Sequence, residues 1–311
     1  MPETIAILTG PTAVGKTDVA ILAAEALNAE IISADSMAVY RGLEVATAKP
    51  SLEQRLRVPH HLIDVVDATQ PFTVADYRRL ALQAIRSTAA RGRLPLVVGG
   101  TRLYIWALTS TLFEGPAADP ALRSRLSELA VREGHHALHR RLAEVDSVAA
   151  ARLSPNDLKR IIRALEVYEA TGTPISELQA ASRRSEPPCA GPMVALVRDR
   201  SQLYARINAR ADAMMAAGLV EEVASLLARG VGEHATAMQG HGYKEIAGYL
   251  LGQYDREEAV RLLKRNTRRY AKRQLSWLRQ EPAVAWVNAD RPAEEVAAEV
   301  VRLIRAGLGR R

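Results

Sequence analysis

The sequence predicts an α/β fold, a parallel sheet with helices on both faces, interrupted by an all-helical insertion. Three observations carry this. Short apolar runs recur with helix-like stretches between them, a glycine-rich turn follows the first run, and one central stretch holds helix patterns only. Alternating strand and helix patterns point to a parallel sheet, because each parallel connection needs a crossover long enough to hold a helix.

The first strand is read at Ile5–Leu8. It runs into "GPTAVGKT", which fits G-x-x-x-x-G-K-[ST] in full. The next stretch, "DVAILAAEALN", reads as an amphipathic helix. Strand, loop and helix in that order make a cradle for phosphate from Gly10, Pro11, Thr12, Ala13, Val14, Gly15, Lys16 and Thr17. Backbone N–H groups and the helix N-terminus converge on a diphosphate, Lys16 adds a point charge, and the Thr17 hydroxyl can ligate Mg2+.

The second strand, Glu30–Ser33, ends in "SADSMAVY". Asp35 and Ser36 therefore stand at the C-terminal edge of the sheet, where ligands of α/β proteins bind. A carboxylate there can be a Mg2+ ligand, a general base or the N-cap of the next helix. A third strand is expected at Leu62–Val65, just after His60 and His61. Those histidines lack a third ligand at helical or hairpin spacing, so packing at the foot of the strand is their reading. The fourth strand, Leu94–Val98, leads into "VVGGT". An ATP-hydrolysing motor would carry an acid near there; this chain offers two glycines and the neutral hydroxyl of Thr101, which leaves kinases and other transferases. Fifth and sixth strands are read at Val194–Val197 and Val284–Val287. From Gly115–Pro120 to Ser185–Pro192 the patterns are helical and proline-rich at both borders, so residues 116–191 are expected to form the insertion, with 1–115 and 192–311 as the core.

The 311 residues are 48% hydrophobic and 25% charged, the balance of an ordinary globular protein. A single cysteine, Cys189, excludes an internal disulfide and a cysteine metal cluster, and makes a reducing cytoplasm the expected location. No apolar run reaches the 18 residues or so of a membrane span, and the start lacks a signal-peptide pattern. The net charge of +7 favours a polyanionic partner. Between Arg261 and Arg273 stand seven basic residues and no acid: Arg261, Lys264, Arg265, Arg268, Arg269, Lys272 and Arg273. Their offsets place them on one helix face, opposite Leu263, Tyr270, Gln274 and Trp277, which can pack on a core. A merely solvated face would mix in acids, so the row reads as a contact for a polyphosphate backbone.

The set "GPTAVGKT", "SADSM", "YRGLEVATAKP", "PHHLID", "PLVVGGTRLY", "NDLKRIIRALEVYEATG", "LYARINAR", "GYKEI" and "YAKRQLSWLR" resembles the tRNA dimethylallyltransferase family of bacteria. The likeness runs from the phosphate loop to about Trp277, in family order. It implies a P-loop kinase-like core with a helical insertion. It also implies transfer of a dimethylallyl group from dimethylallyl diphosphate to the N6 amine of the adenine 3′ of the anticodon, with Mg2+. The expected partners are the tRNA anticodon stem-loop and the allylic diphosphate, with a monomer as the working unit. By resemblance Arg210 is a further clamp on the diphosphate, Asp35 the general base, and Thr101 the hydroxyl that orients donor and amine; with Lys16 these are the expected catalytic groups. The implied tRNA-facing set is Asp35, Ser36, Met37, Ala38, Thr101, Arg123, Lys159, Arg160, Ile161, Ile162, Arg163, Gln239, Gly242, Tyr243 and Lys244, joined by Arg265 and Arg269 of the basic row. Ala38, Lys159, Gly240 and His241 depart from the usual family pattern and bear on the RNA contacts. A nucleotide kinase would leave the basic row unused, and a non-catalytic RNA-binding module would leave the phosphate loop and Asp35 unused.

Overall fold

The computed structural model describes residues 1–47, 49–113, 115–182 and 185–309. They divide into two units, residues 1–109 with 188–311, and residues 110–187.

The first unit opens with β1 (Glu3–Thr4), β2 (Ala6–Thr9), α1 (Lys16–Leu27), β3 (Ala29–Ser33), β4 (Tyr40–Arg41), α2 (Leu52–Arg57), β5 (His60–His61), β6 (Val66–Asp67), α3 (Val74–Ala90), β7 (Leu94–Val98) and α4 (Arg102–Thr109). The second unit is helical among its described residues: α5 (Pro120–Glu133), α6 (His135–Val145), α7 (Ser147–Arg152), α8 (Leu158–Thr171) and α9 (Ile175–Ser182). The chain then returns to the first unit through β8 (Cys189–Ala190), β9 (Met193–Val197), α10 (Arg200–Ala216), α11 (Leu219–Ala228), a 3-10 turn (Thr236–Gln239), α12 (Tyr243–Leu250), α13 (Arg256–Leu278), β10 (Val284–Asn288) and α14 (Ala293–Leu308).

Six strands form one sheet in the order β10-β9-β2-β7-β3-β5, and every pairing is parallel. The pleat sends alternate residues to opposite faces. Ala6, Leu8, Leu96, Val194 and Leu196 pack with α1 and α14, whereas Ile5, Ile7, Ile32, Val97 and Ala195 pack with residues of α3, α4, α11 and α12. Burial on both faces is why these strands read as continuous apolar runs.

Two strand readings need correction. Leu62–Val65 is not a strand; the edge strand is the preceding pair His60–His61, which aligns with Ile31 and Ile32. The chain leaves the extended region directly afterwards, with φ of 62° at Leu62 and 57° at Asp64. Cys189–Ala190, read from sequence as part of the proline-rich border of the insertion, is extended and pairs in parallel with Glu3–Thr4. Two residues are too short to print an alternation pattern.

The second unit closes around Leu122, Leu126, Leu138, Leu142, Ile161 and Leu165. Its buried carboxylate, Glu166, accepts the Asp119 N–H at 2.7 Å, Arg123 Nε and Nη2 both at 2.8 Å, and Arg163 Nη1 at 2.6 Å. Those donors hold its acidity at about 2 against the opposing effect of burial.

Candidate active site

The glycine-rich loop leaves the C-terminal end of β2 and enters α1 at Lys16. Gly15 caps α1 with φ 104° and supplies no side-chain acceptor, so the first-turn N–H groups face the loop without a side-chain cap. The Lys16 ammonium donates to the carbonyl oxygens of Gly10 and Pro11 at 3.0 and 2.8 Å. Burial pushes its pKa down to about 8, Asp35 opposing the shift and Arg210 adding to it. Arg210, on α10, is also held below its ordinary value by burial, again opposed by Asp35, and Nη2 donates to the Ala46 carbonyl at 3.1 Å. Lys16, Arg210 and Asp35 thus form one electrostatic group at the sheet edge.

Asp35 follows β3, and its loop is stitched to the turn after β7. Thr101 N donates to Ala34 O at 3.2 Å, and Ser36 N donates to Thr101 Oγ1 at 3.1 Å. The turn lies too close for any side chain at Gly99, where an added Cβ would sit 2.2 Å from Ala34 O. Asp35 Oδ1 accepts the N–H groups of Met37 at 2.8 Å and Ala38 at 3.3 Å, a local turn cap. Among the described residues Oδ2 takes no hydrogen bond, so the carboxylate can cap and still accept a proton.

Four groups that sequence reading did not assign to the site complete it. Arg206 Nε donates to Ala13 O at 2.9 Å and Arg198 Nε to Val14 O at 3.1 Å, fixing the loop's outer carbonyls. Gln274 of α13 touches both loops. Tyr270, one turn earlier, is the fourth; burial, with Asp35 nearby, raises its hydroxyl to about 12. The "YAKRQLSWLR" motif held both α13 residues, but helix periodicity alone assigns them to packing.

The basic row is less open than its sequence implies. Arg261 is paired with Glu258, Lys264 with Asp212 at 2.6 Å, and Arg268 with Asn208 Oδ1 at 2.6 Å. The acids missing from the row come from one turn earlier and from α10. Among the described residues Arg265 hydrogen-bonds only Asn266 Oδ1, at 3.4 Å, and Arg273 lies 5.9 Å from the Tyr270 ring centre. Arg269 and Lys272 are exposed, with no ion pair among the described residues.

Several implied RNA contacts are elsewhere engaged. Ile161 and Ile162 are buried in the second unit's core, and Tyr243 is buried with its hydroxyl donated to Glu222 at 2.7 Å. Their burial leaves no surface for a ligand. Gly242 and Ala38 are buried too. Arg123 and Arg163 serve Glu166. Lys159 and Arg160 are exposed on the first turn of α8, and Gln239 and Lys244 are exposed in the first unit. Met37 is half-buried beside Gly240, where an added Cβ would lie 2.6 Å from its sulfur. His60 and His61 hydrogen-bond Val58 O and Glu30, both at 2.7 Å, and no group of three His, Cys, Asp or Glu side chains suited to a metal occurs among the described residues.

A phosphate loop, a carboxylate and a hydroxyl at one sheet edge suit transfer of a group from a phosphorylated donor. The family model described as IPP transferase matches residues 38–281. The chain belongs to this family. It is 51% identical over 304 residues to a tRNA dimethylallyltransferase of Symbiobacterium thermophilum, covering 97% of this chain and 95% of that one. A tRNA dimethylallyltransferase of Geobacter sulfurreducens is 50% identical over 284 residues, 91% of each chain. The crystal structure of the tRNA isopentenylpyrophosphate transferase of Bacillus halodurans superposes with a TM-score of 0.73 at 41% identity, covering 98% of this chain and 96% of that one. A eukaryotic dimethylallyltransferase described as acting on tRNA gives a TM-score of 0.77 at 26% identity, covering 92% and 74%. Among the described residues of this family member, no helix is long and apolar enough to cross a membrane.

Proposed function

We propose that the glycine-rich loop of this chain holds the diphosphate of dimethylallyl diphosphate, and that Asp35 and Thr101 act on the accepting adenine amine of tRNA. The chain is a prenyltransferase that transfers a dimethylallyl group to tRNA. The observation that carries the residue assignment is the convergence of Lys16, Arg210 and Asp35, with Thr101 stitched to the Asp35 loop.

An allylic diphosphate ionises once its leaving group is stabilised, because the positive charge spreads over the allyl unit. Lys16 and Arg210 are cations placed to meet the charge developing on the departing oxygen. Desolvation of both strengthens that interaction. The acceptor amine is a weak nucleophile that loses a proton as it bonds to carbon. Asp35, with Oδ1 committed to its own loop, offers Oδ2 for that proton. Thr101 Oγ1 accepts the Ser36 N–H, which fixes a hydroxyl for orienting the amine. The adenine must leave its stack to reach this edge, at a few kcal/mol recovered through stacking and edge contacts.

Mg2+ fits the site on its chemistry. It keeps several waters and takes one or two carboxylates plus substrate phosphates, and this sheet edge offers the Asp35 carboxylate and the Thr17 hydroxyl as oxygen donors beside the loop. Thr17, on the first turn of α1, is the residue that would hold it, and the ion would neutralise charge on the leaving diphosphate. The first unit is read as a P-loop kinase-like core and the second as an insertion whose Lys159 and Arg160 meet RNA phosphates, with Gln239, Lys244, Arg269 and Lys272 as further contacts. The cytoplasm is the proposed location.

The test offers labelled dimethylallyl diphosphate or labelled ATP together with tRNA, then analyses the tRNA nucleosides by mass spectrometry. Transfer of the allyl label to adenosine, without ATP consumption, is expected. ATP consumption with no allyl transfer would support the kinase reading instead.

A further inference from the structure

Gln274 is buried, 3% exposed, on the long helix α13. Its Oε1 accepts the Thr12 N–H of the phosphate loop at 2.8 Å, and its Nε2 donates to Gly100 O at 2.9 Å, in the turn that carries Thr101. The two partners are of opposite kind, which fixes the amide orientation, because a flipped amide would face donor to donor and oxygen to oxygen. At Gly100 an added Cβ would lie 2.2 Å from Gln274 Nε2 and 3.2 Å from Gly10 O, so the two loops and the amide share one tight space. Arg198 and Arg206 hold loop carbonyls and Ala34 holds the turn, so among the described residues Gln274 is the side chain whose hydrogen bonds join the two loops to each other.

We infer that Gln274 is a positioning residue, locking the donor-side phosphate loop in register with the acceptor-side Thr101 turn. The inference rests on the donor assignment made for that loop. Transfer needs the allylic carbon and the amine nitrogen at near-attack distance, and a misplacement of about 1 Å costs on the order of 10²-fold in rate. An amide bonded to both loops removes that freedom without touching either substrate.

The test uses Gln274→Met, which keeps the volume and loses both bonds, and Gln274→Glu, which keeps the acceptor for Thr12 N–H and loses the donor to Gly100. Single-turnover transfer is measured at saturating donor and tRNA and normalised to the folded fraction. Expected are losses of on the order of 10²-fold for Gln274→Met and 10-fold for Gln274→Glu, with tRNA affinity within about twofold of the parent. On the Gln274→Met background, Thr101→Ala should cost far less than on the parent, because the hydroxyl is already out of register. A parental rate per folded molecule in either variant, or fully additive losses with Thr101→Ala, would overturn the inference. If Gln274→Met does not fold, the Gln274→Glu rate decides. Lys16→Ala, run in parallel, separates the two ideas: parental transfer there removes the donor assignment itself, whereas a dead Lys16→Ala beside a fully active Gln274→Met removes only the role of Gln274.

Discussion

The Lys16 ammonium donates to the Pro11 carbonyl across 2.8 Å, so the lysine is tied into its own loop. A diphosphate in the loop would replace that carbonyl with a charged acceptor, at which each hydrogen bond is stronger. Lys16→Ala is expected to lower turnover by at least about 10²-fold, the scale of one lost transition-state charge contact. Binding of tRNA, measured by filter retention, should hardly change.

The same lysine makes a pH prediction. Burial lowers its pKa to about 8, so in the free protein it is cationic below that pH and neutral above. Donor capture needs the cation, so kcat/KM for the allylic diphosphate should fall about tenfold per pH unit above that value. Arginine keeps its charge throughout this range. A Lys16→Arg variant, whatever its absolute rate, should lack that descending limb.

Asp35 separates base from cap. Asparagine offers the same oxygen to Met37 and Ala38, so Asp35→Asn should melt within a degree or two of the parent. It cannot take a proton from the amine, and single-turnover transfer should drop by about 10²–10⁴-fold. A fast, folded variant would reduce Asp35 to its turn.

The basic row divides into engaged and free cations. Replacing Arg269 and Lys272 with alanine should flatten the plot of log K for tRNA against log salt by up to about 0.7–0.9 per lost phosphate contact. Arg261→Ala should leave the slope nearly unchanged, because Glu258 already neutralises that side chain. Equal slopes in all variants would mean that the whole row is solvated.

Stability at low pH should report Glu30. Its buried carboxylate is opposed by desolvation but bonded to Arg91, His61 and Thr88, and its pKa falls to about 2 from 4.5. The folded value lies below the unfolded one, so the contribution is complete above about pH 4.5 and is lost as pH falls toward 2. It amounts to on the order of 3 kcal/mol. Urea melts across that window should show a smaller pH dependence for Glu30→Gln than for the parent.

Four strands of the sheet could be read from apolar runs because both faces are covered, and a run needs no register to be seen; the edge strand Val284–Asn288 is only partly buried and is read from its run of apolar residues alone. The turn at Leu62 and Asp64 could not, since positive φ at such residues leaves no mark in hydropathy. At the site, the loop residues, Asp35 and Thr101 stood out because each lies beside a strand end within a motif. Arg198, Arg206 and Gln274 did not, because they meet the loop from 184, 193 and 262 residues away. Burial also defeated pattern reading at Ile161, Ile162 and Tyr243, where a motif shows that a residue is needed without showing which way it faces.

The separation between Thr12 and Gln274 has a consequence on the ribosome. The phosphate loop is made 262 residues before the glutamine whose amide oxygen accepts its Thr12 N–H. At roughly 5–20 residues per second, that interval is on the order of ten seconds to a minute. Throughout it the nascent chain carries a glycine-rich turn whose Thr12 N–H lacks its glutamine acceptor. A translating chain therefore gains the Thr12–Gln274 bond only when α13 has been made and folded back, and truncation anywhere before Gln274 yields a loop with its motif intact and that bond missing.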